Sequence, residues 1–496
     1  MVLEESGGEC VRIAIQRDEA VPVYRQIEAH FRKSIISGAL PPGSRLPAGR
    51  RLAEDLGVSR ITVESAYAEL EAAGLVQPRP GSGTFVLPAY SLAPPRSAQC
   101  AWPSWQQQVS VEAASLEQTP AELLQTGGHP QPISFAEGGG DPQLFPTEEF
   151  RKVVQSVLRT DCSAALDYGD HRGLPALRET IAGVLASQGL QTRAENILIT
   201  SGSQQAISLV SLLLLQPGDS VVVEAPTYGR ALDLFRLRGL TPIAVPVDED
   251  GLRVDLLADC LRQNHPKLIY VIPNFQNPSG ACLSSQRRRQ LLALAAAHDI
   301  PVLEDDFVGD LRYEGNAQPA LKALDDGGRV IYISTFSKML LPGLRVGFVV
   351  ADGPVYQGLA RQKQLHDLAS SNLLQHALNS YVTIGRYQAH LRRSCRLYRE
   401  RCDCMAEMLR RHLPESVTWQ TPSGGLFFWL RLPVGISSTR LLAAACKLGV
   451  NFVPGVSFFP DSSLGESHLR LNFAAHPPAA IAEGVKRLEQ ALNAML

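Results

Sequence analysis

A lysine among small hydroxyl residues, Lys338 in the stretch TFSK, follows the apolar run VIYIS and precedes Arg345 by seven positions. In an apolar, partly desolvated pocket such an amine gives up its proton more readily and can condense with an aldehyde. A lone lysine after a strand is ordinarily a surface residue, so its meaning depends on its companions. TSGSQQ at 200–205 opens a helix directly after an apolar strand. That turn offers backbone amides, the positive end of the helix dipole and the hydroxyls of Ser201 and Ser203 to a phosphate. Thr335, Ser337 and Arg345 complete such a cup. Asp305, ending PVLED, is placed to keep a proton on a ring nitrogen. Tyr228 in EAPTYGR can cover a ring face, and Asn277 in PNFQNPSG can donate to a ring oxygen. An amine-reactive aldehyde, a phosphate and a protonated ring are the requirements of pyridoxal phosphate, and these residues together call for that cofactor.

Such residues need one sheet to carry them. ILITSG, SVVVEAP, KLIYVIPN, IPVLEDD, VIYISTFSK and LRVGFVVAD are Val/Ile/Leu-rich runs separated by helical stretches from about residue 132 onward. Continuous apolar strands alternating with helices predict an α/β fold with a mainly parallel sheet buried on both faces. Functional groups in such sheets gather at the C-terminal ends of the strands, which is where Ser201, Gly202, Asn277, Asp305 and Lys338 fall.

The first ninety residues have another character. PVYRQIEAHFRKSIISGAL places Val23, Ile27, Phe31 and Ile35 at helical spacing and stops at Gly38. AGRRLAEDLGVSRITVESAYAELEAAG breaks at Gly57 into two short helices, the second capped by Ser59 and burying Val63, Ala66, Tyr67 and Leu70. LVQPRPGSGTFV then gives two short strands around a Pro/Gly tip. Helix, turn, helix and wing predict a DNA-binding module at 22–88, although a plain three-helix core is also compatible with the pattern. Helix-turn-helix readers insert the start of the second helix into the major groove, here Ser59, Arg60, Ile61 and Thr62. Arg60 is the one able to fork onto a guanine edge. Eight Lys/Arg face six Asp/Glu between 22 and 86, so charge alone does not identify the module.

Residues 1–21 form an extension and 89–131 a Pro-rich linker with room for a short helix near 110–125, in which Trp102 and Trp105 either dock on a neighbour as a dimer contact or belong to a plain loop. At 496 residues and 45% hydrophobic composition the chain can bury large cores without metal or disulfide staples. Its nine cysteines form no CxxC pair, Cys402 and Cys404 lack companion ligands, and no metal site is expected. The longest apolar run, LVSLLLL, is too short for a bilayer, and the acidic N-terminus is unlike a signal peptide, so a cytoplasmic location is expected. A net charge of -2 makes any nucleic-acid binding a local property.

The motifs, taken in order, add a resemblance. LP-x-x-R-x-LA, S-R-x-T-V and G-x-G-T-F-V resemble the GntR-superfamily winged helix, which implies DNA contacts by Arg50, Arg60 and the wing tip at Gly81 and Ser82. Y-x-D-x-x-G, S-G-x-Q, P-x-Y, P-x-x-Q-N-P-x-G, E-D-D, S-K-x-x-x-P-G-x-R and R-x-N-F resemble fold-type I aminotransferases over 132–496. That resemblance implies a smaller C-terminal α+β subdomain and a homodimer with sites at the subunit interface. It further implies that Lys338 carries pyridoxal phosphate as an internal aldimine, that Gln204 belongs to the cofactor turn, that Tyr168 reaches the phosphate of the partner subunit and that Arg470 takes an α-carboxylate. One position departs from the pattern: Phe307 stands where the related E-D-D motif continues with Tyr, so a phenolic hydrogen bond to the cofactor ring is missing. Both halves together resemble the MocR-type regulators. The expectation is a pyridoxal-phosphate-dependent regulator that binds double-stranded operator DNA and senses an amine or amino acid, or the cofactor itself. A working aminotransferase with an accessory winged helix and a cofactor-free scaffold are the rival readings.

Overall fold

Gly57 adopts φ 59°, a left-handed conformation that closes one short helix and turns the chain into the next. It sits at the centre of a small unit in the computed structural model, which describes Ile13, Ile15, residues 21–87 and residues 129–496. The expected N-terminal extension and linker, with Trp102 and Trp105, lie almost wholly outside the described residues. The described residues form two compact units, one within 1–109 and one within 110–496.

In the small unit, α1 (Val23–Ile36), α2 (Gly49–Leu56) and α3 (Arg60–Ala72) are followed by β1 (Val76–Arg79) and β2 (Gly83–Val86), an antiparallel wing pairing Val76 with Val86 and Arg79 with Gly83. The helical spacing read from the sequence is the buried face: Ile27, Phe31 and Ile35 from α1 meet Val63, Ala66 and Leu70 from α3. Val23 and Tyr67 pack at the rim of this core. The Ser59 hydroxyl accepts from the Thr62 amide at 3.2 Å, capping α3, and the Tyr67 hydroxyl donates to the Pro47 carbonyl at 2.9 Å, pinning α3 to the start of α2.

The large unit begins with β3 (Ile133–Ser134) and is built on an eight-stranded sheet. Its strands are β4 (Ile197–Thr200), β5 (Ser220–Ala225), β6 (Thr241–Asp248), β7 (Gly251–Leu252), β8 (Leu268–Val271), β9 (Val302–Asp305), β10 (Val330–Thr335) and β11 (Gly347–Val350). They lie in the order β4-β11-β10-β9-β8-β5-β6-β7. Alternate residues enter different cores: Val221, Val223, Leu268 and Tyr270 join one, Val222, Ile269 and Val271 the other. This two-sided burial is why the strands read as unbroken apolar runs.

The sheet is mainly parallel but mixed. β11 runs antiparallel to both β10 and β4, and β7 is antiparallel to β6. The reason is local, because the chain between Thr335 and Gly347 is too short for a crossover helix and must turn straight back. Two reversals restore direction, so β4 ends at the same edge as β10, β9, β8 and β5. The remaining strands are β12 (Thr418–Trp419), β13 (Phe427–Arg431), β14 (Val450–Asn451), β15 (Val453–Pro454) and β16 (His468–Asn472). A second, antiparallel sheet takes the order β12-β13-β16-β15, and β14 pairs in parallel with β3. Helices Arg386–His412, Ser438–Lys447 and Pro478–Asn493 complete this α+β part.

Candidate functional site

Lys338 follows the end of β10, largely buried. Burial first, then the positive charges of Arg470 and Arg345, pull its ammonium down to about 8. A β-carbon on Gly138 would lie 3.2 Å from Nζ, so the EGGGD loop comes close over the lysine with no side chain at that position. The loop is held from β16: Asn472 Nδ2 donates to the Glu137 carbonyl at 2.8 Å and the Gly139 carbonyl at 2.7 Å.

Asp305 ends β9 with its carboxyl buried. Oδ2 accepts from the Tyr270 hydroxyl at 2.8 Å, and Oδ1 is buried with no partner among the described residues. Burial raises this carboxyl to about 7, against the Tyr270 hydrogen bond, which lowers it. An orphaned buried acceptor is costly unless something supplies a donor, and a protonated ring nitrogen is such a donor.

The turn after β4 leads into the helix Ser203–Leu214, whose N-cap Gly202 has φ 106° and makes no side-chain cap. A side chain at Gly202 would meet Arg345 Nη2 at 2.8 Å. Arg345 itself sits at φ 49°, a left-handed conformation that costs a non-glycine residue roughly 1–2 kcal/mol. It is held there by bonds from Nη2 to the Ser201 carbonyl at 2.7 Å and from Nη1 to Ser337 Oγ at 3.2 Å. Ser201, Gly202, Ser203, Ser337 and Arg345 thus come together as a cradle of amides, hydroxyls and one cation. Thr335 is close by, but its hydroxyl serves the turn, donating to Val346 O at 3.2 Å and accepting from Ser337 N at 3.1 Å. Gln204 Nε2 donates to the Arg230 carbonyl at 3.1 Å.

Arg470 on β16 is 6% exposed, and burial lowers its guanidinium to about 10. Nη1 donates to Asn277 Oδ1 and Nη2 to the Ala136 carbonyl, each at 3.0 Å, while Nε has no partner among the described residues. The guanidinium lies 4.1 Å from the Phe427 ring centre and 5.2 Å from that of Phe458, so its plane is set by aromatic faces. Tyr228 is packed against the large core, and its phenol is pushed up, by burial first and then by the charge of Asp305. Tyr168 is 85% exposed and is not brought into this cluster. Phe307 is buried in the same large core. Sequence reasoning missed Tyr270, the Ala136 and Glu137 carbonyls and Gln205. The lateral pairing of β8 with β9 brings in Tyr270 and that of β3 with β14 the two carbonyls, whereas Gln205 lies in the TSGSQQ turn itself and accepts from the Ser201 amide four residues back.

In the small unit Arg50, Ser59, Arg60, Ile61, Gly81 and Ser82 are exposed and Thr62 is half-buried. Arg60 Nε donates to Glu64 at 2.7 Å, which steadies the fork on the outer face of α3. Two wing cations went unread in the sequence: Arg79 lies over the Phe85 ring at 4.9 Å, and Arg45 bridges to Phe85 from the loop before α2. Among the described residues no three His, Cys, Asp or Glu side chains gather as a metal site requires, and no helix is long and apolar enough to cross a membrane.

The large unit has the fold of the pyridoxal-phosphate-dependent aminotransferases. Residues 138–488 match the family model for aminotransferase class I and II, and residues 23–86 that for bacterial regulatory proteins of the gntR family. The 2-aminoadipate transaminase of Thermus thermophilus is 37% identical over 79% of this chain and 98% of its own. The crystal structure of α-aminoadipate aminotransferase from the same organism, complexed with N-(5'-phosphopyridoxyl)-L-leucine, superposes with a TM-score of 0.74 at 36% identity, covering 79% of this chain and 99% of the other. The probable rhizopine catabolism regulatory protein MocR of Rhizobium meliloti is 32% identical over 97% of this chain and 96% of its own. The chain belongs to the MocR-type regulators, in which a gntR-family winged helix and an aminotransferase class I and II domain form one polypeptide.

Proposed function

We propose that this regulator senses a primary amine bearing a carboxylate at the Lys338 site, and that the state of the site adjusts DNA binding by the winged helix. The observation that carries the reading is the gathering, at one strand edge, of a largely buried lysine whose ammonium burial, Arg470 and Arg345 pull down to about 8 and of the acceptor Asp305 Oδ1, unpartnered among the described residues. Pyridoxal phosphate, when bound, supplies an electrophilic aldehyde and an electron-withdrawing ring. Lys338 Nζ, whose lowered pKa raises its neutral fraction, would be the amine that holds the aldehyde and that an effector amine would compete with. Asp305 Oδ1, buried without a partner among the described residues, would hold the proton on the ring nitrogen. The amides of Gly202 and Ser203, the helix dipole and Arg345 bind the phosphate. Arg470 takes the carboxylate of the effector, and Asn277, whose Oδ1 it engages, donates from Nδ2 to the ring oxygen. Tyr228 covers a ring face. The exposed Tyr168 serves the site of a second subunit, which makes the working form a homodimer, and the protein acts in the cytoplasm.

A ligand shifts a DNA-binding equilibrium only by binding its two states unequally. The test is therefore double: a panel of amines and amino acids is screened for a change in the bound chromophore, and each responder is assayed for altered operator affinity. Responders that change the spectrum without changing DNA binding would overturn the sensing role. A second reading, a working aminotransferase, is favoured by the complete lysine, aspartate and arginine set. Sustained turnover of amino and keto acid pairs would establish it.

A further inference from the structure

Beyond the residues that would touch the cofactor, an unbroken line of hydrogen bonds ties the cradle to a buried lysine. Lys363, with a side chain 0% exposed, donates to Asp367 Oδ1 at 2.8 Å. Gln205 Nε2 donates to Asp367 Oδ2 at 2.8 Å, and Gln205 Oε1 accepts from the Ser201 amide at 2.8 Å. The Ser201 carbonyl then accepts from Arg345 Nη2 at 2.7 Å, and Arg345 Nη1 reaches Ser337, the neighbour of Lys338.

Chemistry fixes the sense of this line. An ionised carboxylate only accepts, so Asp367 forces the Gln205 amide to present its nitrogen to Asp367 and its oxygen to Ser201. Ser201 is thereby gripped at both ends, by Gln205 at its amide and Arg345 at its carbonyl. The two peptides that follow begin the helix Ser203–Leu214, whose N-terminus has no side-chain cap. Asp367 stands at the C-terminal end of the helix Gly353–Asp367, where the dipole opposes a carboxylate. A cation one turn earlier offsets that opposition. Burying a lysine is unfavourable unless it is paired, so a fully buried Lys363 on Asp367 marks an orientation the fold maintains against a cost.

We propose that Lys363, Asp367 and Gln205 are positioning residues for the phosphate cradle, and that they set how strongly the chain prefers pyridoxal phosphate to unphosphorylated pyridoxal. The proposal rests on the reading of Ser201–Ser203 and Arg345 as the phosphate site. Its particular signature is selectivity, because loosened peptides weaken a ligand that uses them and leave one that lacks the phosphate alone.

Full-length protein, stripped of cofactor, is titrated with pyridoxal phosphate and separately with pyridoxal, following the absorbance of the lysine adduct. Gln205→Met and Asp367→Asn are each expected to weaken pyridoxal phosphate about tenfold, the lower end of what losing an outer hydrogen-bonding partner costs at metal centres, and to leave pyridoxal unchanged. Combined, they should weaken it little further, since both cut one line. Equal weakening of both ligands, or none, overturns the proposal. Arg345→Ala separates the two claims: if it lowers the preference while the Gln205 and Asp367 variants do not, the cradle stands and the relay falls. If Arg345→Ala also leaves the preference intact, the phosphate site itself is misplaced. Lys363→Met adds a third cut, and should it fail to fold, Gln205→Met at its half-buried position still decides.

Discussion

The two units place their chemistry on opposite sides of their cores. In the small unit an apolar cluster is wrapped by helices whose functional side chains point to water, and Ile61 is 73% exposed. In the large unit the functional side chains are inside, with Asp305 2% exposed. Exposed charges are governed by screening and by what a partner brings to them. Buried charges are governed by desolvation, which shifts their protonation and makes every unpaired atom expensive. Salt should therefore probe the first unit, and pH the second.

The largest contrast comes from Lys338→Ala. The wild-type protein is expected to carry a chromophore that borohydride fixes on Lys338, and the variant should lose it entirely. A variant that keeps the same covalent, reducible absorbance would place the attachment elsewhere. Next in size is Arg470→Ala, which removes the buried cation that an effector carboxylate would pair with and should weaken carboxylated effectors by about 2–5 kcal/mol. Amines without a carboxylate should respond almost as before, and a dose response unaltered for both classes would remove Arg470 from the site.

The same variant carries the pH test. Lys338 in the fold titrates near 8, below its ordinary 10.5, so its neutral and reactive fraction rises with pH. Capture of free pyridoxal by cofactor-free protein should accelerate with an inflection near pH 8. Removing the Arg470 charge makes protonation easier and moves the inflection upward. The linkage has the same sign: the unfolded lysine holds its proton between about 8 and 10.5 while the folded one has lost it. Cofactor-free protein therefore gains stability as pH rises through that window, and an inflection unmoved by Arg470→Ala would mean that burial and Arg345 set it without Arg470.

The same division explains what the sequence disclosed. Lys338, Asp305 and the turn at Ser201 were legible because each directly follows an apolar strand, and two-sided burial makes such strands unmistakable. Tyr270 was not legible as a partner of Asp305. Thirty-five positions separate them, and only the lateral pairing of β8 with β9 joins them. The carbonyls of Ala136 and Glu137 carry no side-chain signal at all, so their grip on Arg470 is visible only in three dimensions. β11 looked like one more parallel strand because apolar runs do not encode direction, whereas the short return from Thr335 does. In the small unit helix caps and turns are local, so its elements were read nearly to the residue, but Arg45 and Arg79 were overlooked because the wing's register decides where they lie.

Smaller effects are expected from the DNA-facing residues. Arg60→Ala should cost about 1–3 kcal/mol and relax selectivity at one base pair. The Arg60–Glu64 pair must open for such a contact, so part of that figure offsets its loss. Arg50→Ala should weaken all sequences alike and flatten the dependence of log K on log salt by about one unit. Selection from randomised duplexes checks both. An Arg60 variant with unchanged affinity and preference would mean that α3 does not enter the groove as its exposed start implies.

The smallest effect is expected at Phe307. Phe307 is buried in the large core, two residues beyond Asp305, and provides no hydroxyl. The Tyr270 hydroxyl is already spent on Asp305 Oδ2, so on the proposed reading Asn277 Nδ2 is left to donate to the ring oxygen. With fewer hydrogen bonds to hold its charge, a ring in this site should support amine exchange but slow the proton shifts that complete transamination. Wild-type conversion of cofactor to its amine form in a single turnover is thus expected to fall well below the roughly 1–1000 per second typical of enzymes. Phe307→Tyr should shift the titration of the chromophore and raise that rate, because a phenol two residues beyond Asp305 would add a hydrogen-bond donor to the ring. Should the phenol find no partner, its burial costs about 1–3 kcal/mol of stability and the spectrum stays as it was. That second outcome would make Phe307 a packing residue, and enzyme-like conversion by the wild type would remove the argument that its absence of a hydroxyl restrains catalysis.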